Sequence, residues 1–223
     1  QGLYTMGLAH GIPGALCFLS LAHARGVARE QTRPLLEEGF RWVAHRAEPG
    51  HPRFPHYFHG PEHVADERFS WCVGNPGITA ALWWAAHTWG DTAWEARALD
   101  WATRVAFEAL ERPPSTRHAN LCCGTAGTAH LFLRLHHATG VPVFGEAAHR
   151  WVEHTLALRQ PGQGPGGYCF EQDPTSPVTD LQFGAAGIAL MLLAAATDQA
   201  PDWDETFLFS LPSPASPASS CEV

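Results

Sequence analysis

Four apolar stretches, 15–24, 78–88, 128–137 and 188–196, are rich in alanine and leucine and hold few charges. That composition predicts helices buried on most sides. Between them lie 33–47, 94–111 and 146–159, where apolar residues recur at helical spacing beside a charged face. These predict more exposed helices that pack one side inward. The connecting segments 48–61, 112–119 and 160–179 are rich in proline, glycine and histidine and read as turns. No run of alternating β-branched residues supports a sheet, although 167–170 has the character of a short extended segment.

Each apolar stretch follows a glycine motif. The four are Gly7-Leu-Ala-His10-Gly11-Ile-Pro-Gly14, Trp71-Cys72-Val-Gly74-Asn-Pro-Gly77, Cys122-Cys123-Gly124-Thr-Ala-Gly127 and Phe183-Gly184-Ala-Ala-Gly187. A unit of glycine turn, inner helix and outer helix cannot bury its own apolar face, so successive units must stack. The expected fold is therefore all-α, an α/α toroid or α-solenoid with one helical layer inside another. Residues 1–211 form its single domain. The Pro/Ser-rich end, 212–223, reads as a disordered tail.

The chain carries 14 Lys+Arg against 22 Asp+Glu, a net charge of −8, with no basic cluster. That balance argues against a nucleic-acid surface, which needs cations for phosphates. No apolar run is long enough to span a bilayer and no signal-peptide pattern opens the chain, so a cytoplasmic location is expected. The six cysteines include the adjacent pair Cys122 and Cys123, and their spacing does not resemble a secreted disulfide framework.

Cys72, Cys122 and Cys123 all sit just before a helix, where free N–H groups and the dipole favour a thiolate. Converging in a cavity mouth, three thiolates suit an open zinc site with one exchangeable position. The bland reading is three small apolar side chains filling tight helix starts. His10 holds the matching motif position in the first unit and suits acid–base work; a capping histidine is its ordinary alternative. Arg68, four residues before Cys72, would place a fixed cation beside developing negative charge, or simply be a solvated arginine. Cys17 and the tryptophans at 83, 84, 89, 94 and 101 read as core. The glycine-rich 162–167 and the histidines at 51, 56, 59 and 63 read as surface loops.

The combination of His10-Gly11, Arg68-x-x-Trp71-Cys72-x-Gly74-x-Pro-Gly77, Cys122-Cys123-Gly124-x-x-Gly127 and Gly184-x-x-Gly187 resembles the LanC-like lanthionine synthetase cyclases, up to about Leu211. The resemblance implies a toroid of seven inner and seven outer helices, of which only about the C-terminal part would be present here. It implies a Zn²⁺ cofactor held by Cys72, Cys122 and Cys123. It also implies addition of peptide cysteine thiols to dehydroalanine or dehydrobutyrine, with His10 matching the proposed acid and Arg68 an active-site arginine. The implied partners are a dehydrated precursor peptide and, in a fused enzyme, a dehydratase portion. Addition of glutathione to dehydroamino acids, or a helical-repeat module without catalysis, shares the same motifs. Cys123 stands where many cyclases have histidine, Val73 where tyrosine is frequent, and no residue matches the family's aspartate. An arc of half a toroid is expected to be unstable alone or to associate.

Overall fold

The computed structural model describes residues 3–47, 53–59, 62–64, 68–112, 114, 116–170 and 178–210. The proposed tail lies outside them. Among the described residues, seven α-helices alternate between two layers: α1 (Ile12–Ala24), α3 (Asn75–Trp89), α5 (Thr125–Thr139) and α7 (Ala185–Ala196) inside, α2 (Arg29–Ala44), α4 (Thr92–Glu111) and α6 (Pro142–Ala157) outside. The inner helices lie side by side in chain order, and α2, α4 and α6 cover α1, α3 and α5 respectively. The alternation of apolar and amphipathic helices read from the sequence is thus the observed architecture.

Each inner helix starts about three residues earlier than the apolar pattern does, within the glycine motif itself. Gly11, Gly74, Gly124 and Gly184 are the N-caps, and Gly14, Gly77, Gly127 and Gly187 occupy the third helical position. There the helix presses on the loop that leads into it. A Cβ at these third positions would overlap the carbonyl oxygens of Leu8, Trp71, Leu121 and Leu181, each six residues upstream. Gly74 adds a backbone requirement, since its φ of 109° lies where side chains are disfavoured.

Burial follows position in the arc. Every residue of α3 from Asn75 to Ala86 is buried, as is α5 from Thr125 to Phe132. The end helices differ from the sequence expectation of full burial. Phe18 on α1 is 69% exposed and Leu193 on α7 is 50% exposed, because among the described residues α1 and α7 have an inner neighbour on one side only. Outer helices lock on through aromatics: Phe40 of α2 stacks near Trp94 at 5.2 Å, and the Trp151 indole of α6 donates to the Ala109 carbonyl at 3.2 Å. Cys17 is core as expected, with its thiol donating to the Ala81 carbonyl and burial pushing its pKa up to about 12. No helix among the described residues is long and apolar enough to cross a membrane.

The expected absence of a sheet is corrected. Three short strands, β1 (Leu3–Thr5), β2 (Tyr57–His59) and β3 (Glu62–Val64), form an antiparallel sheet in that order, with Tyr4 opposite Phe58 and Phe58 opposite His63. The histidine-rich segment is therefore partly a hairpin rather than a surface loop, and His56 at its start is buried. His51 lies outside the described residues. The 167–170 segment is extended at Tyr168 but pairs with no strand among the described residues. The glycine run before it is a closed turn, held by Arg159 Nε donating to the Gly166 carbonyl and Gln160 N to that of Gly167.

Past α7 the chain turns back as a 3₁₀ segment, Asp202–Phe207, and packs on the inner helices. Asp204 is fully buried there against His130 of α5. Burial outweighs the carboxylate and holds the His130 pKa below its ordinary 6.5. His23, His137 and His154 shift in the same direction, each mainly through burial. The unfolded chain therefore takes up protons near pH 6.5 that the folded chain still refuses, so stability is complete above that pH and declines below it. Melting between pH 7.5 and 5.5 should show Tm falling with acid, with a shallower fall in His130→Gln. A Tm that rises toward pH 5.5 would refute this assignment.

Candidate metal centre

The loops that open the inner helices are joined edge to edge by backbone hydrogen bonds. Ala9 N donates to the Cys72 carbonyl, Cys72 N to that of Cys122, and Cys122 N to that of Gln182, at 3.1–3.2 Å. Every partner stands two residues before its N-cap glycine. The repeat register thus places equivalent side chains side by side, and it brings Cys72 next to Cys122 although 50 residues separate them.

The three predicted cysteines meet at this ladder. All are free thiols; Cys72 and Cys122 are buried and Cys123 is half-buried. Cys122 is in the middle, adjacent to Cys123 in the chain and joined to Cys72 through the backbone ladder. Its thiol is the main reason that the Cys72 pKa lies below the ordinary 9.0 and that of Cys123 is brought down to about 6. Cys122, with a thiol on either side, is pushed upward.

Polar side chains surround the sulfurs. The Ser70 hydroxyl lies 3.8 Å from Cys72 Sγ, Gln182 Nε2 donates to Cys122 Sγ at 3.5 Å, and Asn120 Oδ1 accepts from Cys123 N at 2.9 Å while lying 3.6 Å from its Sγ. Asn120 Nδ2 is buried without a hydrogen-bond partner in this cluster. Among the described residues, no three His, Cys, Asp or Glu side chains are already turned toward one ion position. As a donor set, three thiols, with Gln182 donating to the middle one, nevertheless fit zinc.

His10 and Arg68 flank the cluster without joining it. His10 follows Ala9, whose amide is bonded to the Cys72 carbonyl; its side chain is exposed, and its own carbonyl accepts from the Thr5 hydroxyl. Arg68 is exposed and opens the tight loop to Cys72, with Nη2 3.0 Å from Nε2 of the buried His56. His56 thus orients Arg68, a role hidden from the sequence because the hairpin that buries it has only three-residue strands. His118 was also passed over. Half-buried and stacked near Phe170, it lowers the Cys123 pKa through its charge. It stands six residues before N-cap Gly124, as Arg68 does before Gly74, so aligning the repeats on that glycine would have found it.

The model of the family described as lanthionine synthetase C-like protein matches residues 1–208. The chain belongs to that family. A structural match to nisin cyclase covers 93% of this chain and 50% of that one, with a TM-score of 0.72 and 18% sequence identity. The LanC-like chain described here therefore shares the nisin cyclase fold and spans half of that protein's length. No curated protein sequence matches it. Within this LanC-like arc, the aligned loop starts are what bring the three thiols together.

Proposed function

We propose that this chain carries the thiol-activating part of a lanthipeptide cyclase, with Cys72, Cys122 and Cys123 as ligands of a zinc ion. The observation that carries the reading is that the backbone ladder brings together three thiols from two successive helix starts, in a chain of the LanC-like family. Bound zinc supplies a Lewis acid that lowers the pKa of a peptide cysteine thiol, making its thiolate available at neutral pH. Cys72, Cys122 and Cys123 would hold that ion. Gln182 donates to the Cys122 sulfur, and Asn120 holds Cys123 through its backbone N–H.

The chemistry asked of the remaining residues is an addition. The sulfur of a peptide cysteine bonds to the β-carbon of a dehydroalanine or dehydrobutyrine, and the displaced π pair makes an enolate. Arg68 offers positive charge to the enolate oxygen, and His10 gives the α-carbon its proton. A thioether ring results. The substrate in this reading is a dehydrated precursor peptide, and the site works in the cytoplasm.

Elemental analysis of zinc tests the ligand set. Purified wild-type chain should hold one Zn per chain and Cys123→Ala close to none, because loss of one of three thiolates removes most of the affinity. Full zinc content in Cys123→Ala, or none in folded wild type, overturns the assignment. The activity is tested by mass spectrometry of free thiols in a dehydrated precursor incubated with the full-length parent enzyme. Thiols that persist with zinc-loaded enzyme argue against cyclisation.

A further inference from the structure

Residues 201–210 touch every element that carries the thiol cluster. The indole N–H of Trp71, directly before Cys72, donates to the Phe207 carbonyl at 2.9 Å. Its ring stacks on Phe209 at 5.3 Å and meets Phe207 edge-on at 5.6 Å. The same segment grips α5, whose start bears Cys122 and Cys123. His130 Nε2 lies 2.7 Å from Asp204 Oδ2, Trp203 stacks on His130 at 4.8 Å, and Phe209 meets the His130 ring edge-on at 5.0 Å. Ser210 donates to the other Asp204 oxygen at 2.6 Å. Leu208, in the left-handed region at φ 56°, reaches Gly14 at the start of α1. Trp71, Asp204, Phe209 and His130 are all buried.

The backbone ladder alone joins Cys72 to Cys122 by a single hydrogen bond. The Thr128 hydroxyl of α5 adds a bond to the Phe69 carbonyl, and the C-terminal segment supplies a further, independent tie, between the side chain beside Cys72 and the helix after Cys123. We infer that residues 201–210 are a strap that sets the spacing between Cys72 and the Cys122–Cys123 pair, with Trp71 as the positioning residue through which it acts. The inference rests on the zinc reading only for its purpose. The strap itself is a matter of contacts, and a ligand held by such neighbours binds metal more tightly than one free to drift.

Trp71→Phe is the direct test, since it keeps an aromatic ring against Phe209 and removes the N–H. Phe209→Leu is the second variant, loosening the stack from the strap's side. Two readouts are made on the full chain. Competition with a zinc chelator should show zinc held about tenfold more weakly in both variants, and Co²⁺-loaded protein should show altered thiolate-to-cobalt absorption, with melting temperatures close to wild type. Amide hydrogen exchange without metal should be about tenfold faster at Cys72 and Cys122 and unchanged in α4. Wild-type exchange at both amides in both variants overturns the strap. If wild type takes no zinc yet the variants accelerate exchange at Cys72 and Cys122, the zinc reading falls and the strap stands. If zinc binds wild type and both variants equally, the strap's role in the metal centre is refuted.

Discussion

Gly127→Ala should be among the most damaging single substitutions in this chain, with unfolding free energy reduced by about 3 kcal/mol or more. Helix propensity predicts the opposite sign, since alanine inside a helix is favoured over glycine by roughly 0.5–1 kcal/mol. Packing decides. The added methyl group would overlap the Leu121 carbonyl oxygen, which is backbone and cannot swing aside. Relief requires moving the loop of Cys122 and Cys123 away from the helix, and with it the hydrogen bond from Cys72 N to the Cys122 carbonyl. Gly90→Ala is the control. Gly90 has φ 83° but nothing within 4 Å of where a Cβ would stand, so it bears only the backbone cost, about 1 kcal/mol. Denaturant unfolding of the two variants beside wild type should separate them by at least twofold in lost stability. A Gly127→Ala chain as stable as wild type would show that the loop yields freely, and would remove the packing explanation of the glycine repeat.

That glycine repeat is also why so much of the fold was legible. A helix start that needs no side chain at its third position leaves a mark every 50–63 residues, and the mark recurs whatever the intervening loops do. The ladder built on it then brings Cys72 and Cys122 together without any local CxxC spacing. Other features leave no such mark. Leu3–Thr5 pairs with Tyr57–His59 over too few residues for alternation to show, and the burial of His56 depends on that pairing. Exposure of Phe18 and Leu193 is set by which helices stand beside α1 and α7, and an apolar helix reads the same with one inner neighbour or two. The strap was invisible for a related reason. Asp204 lies in a short acidic run, Asp202–Phe207, that reads as solvated turn, and only its contact with His130, 74 residues away, makes it core.

Asp204→Ala should cost about 3–5 kcal/mol, because it removes the acceptor of two buried donors together with the counter-charge of the partly buried Arg134. In a chain of this size that corresponds to a fall in Tm of roughly 10 °C. The cost arises from what is left behind. His130 Nε2 and the Ser210 hydroxyl lose their acceptor in a dry site, where an unsatisfied polar group is penalised by its full desolvation. Arg134, whose Nε lies 2.9 Å from Asp204 Oδ2 without the alignment to donate to it, loses its counter-charge. Asp204→Asn distinguishes charge from hydrogen bonding: the amide oxygen still accepts from one neighbour, so the loss should be smaller. Glu37→Ala supplies the surface comparison. Glu37 bridges Arg33 and Arg41 along two turns of α2 in contact with water, and its removal should cost no more than about 1 kcal/mol. Equal Tm shifts for Asp204→Ala and Glu37→Ala would mean that the carboxylate in the strap is solvated, and the strap would be held to the inner helices by its bond and ring contacts to Trp71 and by ring contacts to His130.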